Sequence, residues 1–206
     1  MWPWEHLAVG YLLLSLYCHG QTGAPPTDAA VLTVALATQL PDLIDKPLAW
    51  QFNVLSGTSI AHSILVALML VFVVGIVAGR VGYPSVTAAF AIGYLSHLLG
   101  DLAYPMLLGA GHFAWGKILW PGPQRVVSNP GSIASSPVSS NPPNGAGFFS
   151  QLIHRLGEFG SFLGTQPGLE YLLMDVLLVA TAATLWLLDG HPGVQLLAEM
   201  IRPISS

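Results

Sequence analysis

The sequence predicts an all-α fold: a polytopic membrane helical bundle of about five transmembrane helices, with one further amphipathic helix in the interface. Three observations carry this. Of the 206 residues, 53% are hydrophobic and only 8% are charged, where a soluble domain carries about 25% charged residues. The mean hydropathy is +0.64 over the whole chain, concentrated in runs close to the ~20 residues that cross a hydrocarbon core. Those runs are continuously apolar rather than alternating, which points to helices and not to barrel strands. The same composition argues against a soluble enzyme. A net charge of −4 with no Lys/Arg run argues against nucleic acid as a partner. The single cysteine, Cys18, excludes an internal disulfide and a thiolate metal cluster.

The predicted spans are 2–17, 27–44, 58–79, 84–103 and 169–188, in one membrane domain covering 1–206. The first lacks the basic leader of a signal peptide, since Met1-Trp2-Pro3-Trp4-Glu5-His6 contains no Lys or Arg, and it reads as a retained helix bracketed by interfacial Trp2, Trp4 and Tyr17. Turn-rich stretches such as His19-Gly20-Gln21-Thr22-Gly23-Ala24-Pro25-Pro26 and Arg80-Val81-Gly82-Tyr83-Pro84 separate the spans. Gly75 and Gly79 stand at GxxxG spacing, which permits close helix packing. Residues 104–168 form a polar insert. Within it, 128–147 is almost entirely Ser, Pro, Asn, Gly and Ala and reads as flexible. In 148–163, Phe149, Leu152, Ile153, Leu156 and Leu163 share one helical face, the pattern of an amphipathic helix lying on the membrane as an anchor or a lid.

Following the alternating direction of the spans places the ionisable residues unevenly. Taking the side that holds Met1 as side A, span one starts there with His6 and span two returns there with Asp42 and Asp45. Span three leaves with His62 in its first turns, and span four comes back with His97 and Asp101. Side B receives His19, Asp28, Arg80, Asp189 and His191, mostly beyond the span ends. An ionisable group in hydrocarbon costs at least about 2.5 kcal/mol unless it is paired, hydrated or metal-bound. Three His and three Asp in one layer therefore suggest a shared partner. His97 and Asp101 stand i,i+4 and Asp42 and Asp45 i,i+3, each pair on one helix face. A His/carboxylate set suits Zn²⁺, Mn²⁺ or Fe²⁺, as one or two ions, and Asp45 is a ligand, a bridge or the general base. Each residue also has a structural reading: His6 among head groups, Asp42 as a helix cap, His62 and Ser63 as interhelical hydrogen-bonders.

The order and flanks of these residues resemble the membrane-bound metal-dependent hydrolases of bacteria and archaea. That pattern is a His in the first span, Pro-Asp-x-x-Asp, a Thr-His-Ser-like element and Gly-Tyr-x-x-His-x-x-x-Asp. Here they stand as His6, Pro41-Asp42-Leu43-Ile44-Asp45, Ala61-His62-Ser63 and Gly93-Tyr94-Leu95-Ser96-His97-Leu98-Leu99-Gly100-Asp101. The segment from Trp115 to Pro121 is similar to the family's Trp-Pro stretch, and the start Met-Trp-Pro-Trp-Glu-His is most similar to members from halophilic archaea. Where many members carry His-Arg-Gly, this chain has Ser56-Gly57-Thr58-Ser59-Ile60. The resemblance implies a metal centre and hydrolysis.

The expectation is thus a multi-pass cell-membrane hydrolase, acting through a metal-activated water on an ester or phosphodiester delivered from membrane lipids. The alternative is a small transporter or a proton- or metal-conducting protein built on the same cluster. A phosphatidic-acid-type phosphatase needs Arg residues ahead of His97 that are absent. A CDP-alcohol phosphotransferase needs Gly and Arg where Lys46-Pro47 follows Asp45. A serine nucleophile at Ser59 lacks the Gly that would follow it. Lys46, Lys117, Arg125 and Arg155 on side A, against Arg80 and Arg202 on side B, lean towards a cytoplasmic site by the positive-inside rule, without fixing the side.

Overall fold

The computed structural model describes residues 1–52, 58–107, 111–121 and 148–201, and among them every regular element is a helix. In chain order these are α1 (Pro3–Thr22), α2 (Asp28–Ala37), α3 (Leu40–Trp50), α4 (Ile64–Arg80), α5 (Pro84–Leu107), α6 (Trp115–Ile118), α7 (Phe148–Leu163), α8 (Gln166–Leu188) and α9 (Val194–Ile201). The stretch 128–147, expected to be flexible, lies outside the described residues.

Among the described residues, two helices rather than five are long and apolar enough to cross a bilayer: α5 and α8. Only 11% of the apolar stretch of α8 is buried, which separates it from the core helix of a soluble protein. The other expected spans fall short for identifiable reasons. At 20 residues α1 has the length, but Glu5, His6, His19 and Gln21 dilute its apolarity. The expected span 27–44 is two helices, because Pro41 has no N–H to give the carbonyl of Ala37 and its ring crowds that carbonyl, so α2 ends at Ala37. The expected span 58–79 begins later, at Ile64, and α4 is 17 residues long. His62 therefore sits in the turn before α4, not in its first turns.

The chain divides into two units. Unit 1 holds Met1, Pro41–Val66 and Leu98–Leu177; unit 2 holds Trp2–Leu40, Ala67–His97 and Leu178–Ser206.

In unit 2, Leu14, Ala30, Val34 and Ala89 form a fully buried core, with Cys18, Val31 and Ile92 packed on it. Backbones approach closely there because two positions lack a side chain. A Cβ on Gly10 would lie 2.4 Å from Thr38 Cγ2, and one on Gly93 would lie 2.8 Å from Ala37 Cβ and 2.9 Å from the Val34 carbonyl oxygen. In lipid such small-residue contacts drive helix association, since burial of apolar surface brings little there. The Gly75/Gly79 pair contributes less: a Cβ on Gly79 meets nothing within 4 Å.

Unit 2 also ties α1 to the end of α8. Tyr11 and Ser15 donate to Asp189 Oδ2 at 2.6 and 2.7 Å, and His19 Nε2 stands 2.8 Å from Asp189 Oδ1. These three lie one turn apart on α1, so a single carboxylate gathers one helix stripe. Burial alone would raise the Asp189 pKa, but the hydrogen bonds from Tyr11, His19 and Ser15 outweigh it and hold the carboxyl below the usual carboxylate range. Asp189→Ala is expected to lower stability by about 3 kcal/mol, because it strands two inward-facing hydroxyls, read as the melting temperature in detergent. The wild-type tie stabilises fully above the unfolded carboxylate's pKa of about 3.9. It is lost as pH falls through the depressed folded value, so the gap between variant and wild type should close on acidification.

In unit 1, the ring of Tyr171 on α8 takes edge contacts from Tyr104 of α5 and from Phe159 and Phe162 of α7, with centroids 5.8–6.1 Å away. The α7–α8 turn is tight enough that a Cβ on Gly168 would lie 2.0 Å from the Phe162 carbonyl oxygen. On α7, Phe149, Ile153 and Leu156 are exposed.

Candidate metal centre

Unit 1 gathers Asp42, Asp45, His62 and Asp101. Asp45 lies one turn into α3, fully buried, and its carboxylate is the anchor of the turn that precedes α4. The backbone N–H of Ser59 donates to its Oδ2 at 2.6 Å, that of Ala61 to Oδ1 at 3.1 Å, and that of His62 to Oδ2 at 3.2 Å. The His62 ring adds Nδ1 at 2.8 Å from Oδ2. Four donors thus converge on one buried carboxylate. Because a carboxylate only accepts, Nδ1 of His62 carries a proton, and in a singly protonated ring the lone pair falls on Nε2.

That Nε2 faces two more carboxylates, at 3.6 Å from Asp42 Oδ1 and 3.6 Å from Asp101 Oδ2. The distance is too long for a hydrogen bond. It is close to the separation of about 3.3 Å between two donors on one tetrahedral ion with bonds of about 2.0–2.2 Å. A lone pair aimed at two carboxylates is electrostatically unfavourable, so the arrangement calls for a positive charge among the three atoms. A divalent cation or a second ring proton meets that need. The His62 side chain is fully buried, and those of Asp42 and Asp101 are 11% and 9% exposed. Their outer contacts are cationic: Lys46 Nζ bonds Asp42 Oδ2, Lys117 Nζ lies 3.6 Å from Asp101 Oδ2, and the Met1 amino group lies 2.8 Å from Asp101 Oδ1.

Unit 2 holds the other two candidates, His6 and His97, both buried. Their rings stack at 3.8 Å between centroids with planes 19° apart. His97 Nδ1 lies 2.7 Å from the Thr38 carbonyl oxygen. A carbonyl only accepts, so here too Nδ1 is protonated and the lone pair sits on Nε2. The Thr38 carbonyl is available because α2 stops there: Pro41 breaks the helix, and the oxygen loses the N–H it would meet in an unbroken one. A ligating histidine commonly has its second nitrogen held in this way.

Thr38 was not signalled as a functional position by its residue type. The signal was Pro41, four residues after the last helical residue of α2. Lys46 stands i,i+4 from Asp42, a spacing visible in the sequence, whereas Lys117 comes from a segment far along the chain.

Neither the search of curated proteins nor that of solved structures found a match for this chain. The sequence model of the YdjM inner membrane protein family matches residues 1–189. With apolar helices able to span a bilayer and a match over nearly its whole length, the chain belongs to the YdjM inner membrane protein family.

Proposed function

We propose that this inner membrane protein is a metal-dependent hydrolase acting on an ester or phosphodiester, lipid or membrane-delivered. The observation that carries the reading is His62 Nε2 set 3.6 Å from one oxygen each of Asp42 and Asp101. Asp42, His62 and Asp101 are the core ligands. His6 and His97, whose rings stack on each other in unit 2, are kept as candidate ligands on the strength of the sequence pattern, for one or two ions in all. A bound Zn²⁺, Mn²⁺ or Fe²⁺ supplies Lewis-acid polarisation of the substrate and a water of lowered pKa. Asp45 accepts from four donors and so holds the His62 tautomer and the turn, a positioning role in place of ligand or general base.

A second reading draws on Tyr11, Ser15 and His19, aligned on α1 with Asp189 and following His6 on the same helix. Polar groups along one helix are what a proton path needs. A protein of that kind would acidify proteoliposomes without bound metal.

Elemental mass spectrometry on detergent-purified protein offered Zn²⁺, Mn²⁺ and Fe²⁺ tests the first reading. Wild type is expected to retain roughly one or two ions per chain. His62→Ala, His97→Ala and Asp101→Ala should each weaken retention by about tenfold or more. Folded wild-type protein that holds no metal would sink the hydrolase reading.

A further inference from the structure

We propose that Lys46 and Lys117 form a phosphate-binding pair at the rim of this centre, so that the substrate carries a phosphate ester. The inference rests on the metal-site reading and narrows its substrate class. His62 is the floor of the cluster, fully buried. Above it stand the carboxylates of Asp42 and Asp101, and beyond those the two ammonium groups, on side chains 31% and 33% exposed. Each lysine is therefore one carboxylate removed from His62 Nε2 and reaches outward.

Both are placed by the fold. Lys46 lies one turn after Asp42 on α3, and its Nζ sits 5.9 Å from the centre of the Trp50 ring. Lys117 rides on the four-residue α6, which is tied down at both ends: the Ala114 N–H donates to the Leu102 carbonyl at 2.9 Å, and Ser63 Oγ donates to the Trp120 carbonyl at 2.8 Å. A short helix pinned at both ends delivers its one cation to Asp101.

Charge decides what such a rim would hold. The carboxylates of Asp42, Asp45 and Asp101 are balanced by the ammonium groups of Lys46, Lys117 and Met1, so a divalent ion leaves the rim with an excess of positive charge. It would also compete with Lys117 for Asp101 Oδ2 and draw charge from Asp42 through the Oδ1 that faces His62, which loosens the hold of both carboxylates on the lysines. Two point-charge donors are then available to an anion. A phosphomonoester or phosphodiester carries the matching charge at neutral pH; an uncharged carboxylic ester carries none.

The test uses full-length, metal-loaded protein in detergent, with Lys46→Met, Lys117→Met, the double variant and Lys117→Arg. Affinity is followed by tryptophan fluorescence for two probes, inorganic phosphate and a short-chain phosphatidylglycerol, with metal content measured in parallel. Each single Met variant should weaken phosphate-group binding about tenfold, the value of one charge-assisted hydrogen bond. The double should weaken it further, and Lys117→Arg should restore the single loss. Metal content should not fall in any of them, since removing an ammonium group only raises the negative potential on the carboxylates. A lysine-dependent loss seen with the lipid alone assigns the phosphate to a head group; a loss with inorganic phosphate as well assigns it to a free anion, and both support the pair. Unchanged affinity in the double variant, or no saturable binding by wild type, overturns it. Lysine-dependent phosphate binding by a wild type that retains no metal would uphold the rim and overturn the hydrolase reading instead.

Discussion

Asp45→Ala is expected to cost more stability than any other single change around the centre, about 3–5 kcal/mol, the range for removing one partner of a buried charged network. The carboxylate accepts from the backbone of Ser59, Ala61 and His62 and from the His62 ring. Alanine leaves three buried N–H groups without their acceptor and releases the ring at once. Asp45→Asn should fall between the two. Its amide oxygen can take the Oδ2 position and keep the contacts with Ser59 and His62, but its NH₂ then meets the Ala61 N–H, donor against donor. Melting temperature in detergent separates the three proteins, and metal retention should fall in the same order because His62 loses its orientation. An Asp45→Ala protein that melts with wild type would show that the turn before α4 is held by something else.

The second large effect lies in unit 2. Gly93→Val should destabilise by about 3 kcal/mol and Gly93→Ala by about 1–3 kcal/mol, the cost of overpacking against groups that cannot yield. The nearest neighbours of an added Cβ are Ala37 Cβ, the Val34 carbonyl oxygen at 2.9 Å and the Thr38 nitrogen at 3.2 Å, mostly backbone of α2. Displacing α2 from α5 also stretches the 2.7 Å contact between His97 and the Thr38 carbonyl, one turn further along. Gly79→Ala is the control. Nothing stands within 4 Å of that position, and exchanging Gly for Ala in a helix gains up to about 1 kcal/mol. Equal melting temperatures for the two alanine variants would remove the close contact as an account of the Gly-Tyr-x-x-His pattern.

Much of this was legible in the sequence, and the reason differs by residue. The helical, membrane character followed from apolar runs, which report solvent directly. The candidates Asp42, His62 and Asp101 stood out because ionisable groups in apolar surroundings are costly and therefore informative. What Asp45 does was not legible, because its partners are chiefly main-chain N–H groups 14 to 17 residues away, and every residue but proline has one. The division of the second span is written in Pro41, but the apolar residues on either side of it make the hydropathy of the run continuous. The helix α9 was missed because eight residues with exposed Val194, Leu197, Met200 and Ile201 carry too short a period to register. Asp189 carries no local signal of its role, because its partners on α1 lie more than 160 residues away.

The break between α2 and α3 also bears on how the protein enters its membrane. Insertion machinery samples each segment as it emerges and partitions it by its own apolarity, with Asp and Lys among the most heavily penalised residues. α2 offers ten residues, too few to span, and α3 follows with Asp42, Asp45 and Lys46. Neither half has a strong claim to the bilayer by itself. The groups that hold Asp45, in residues 59–62, lie 14 to 17 residues further along the chain and emerge after α3. Stable integration of α3 therefore waits on sequence that emerges later, and its polar residues are partnered only once the turn before α4 has followed them.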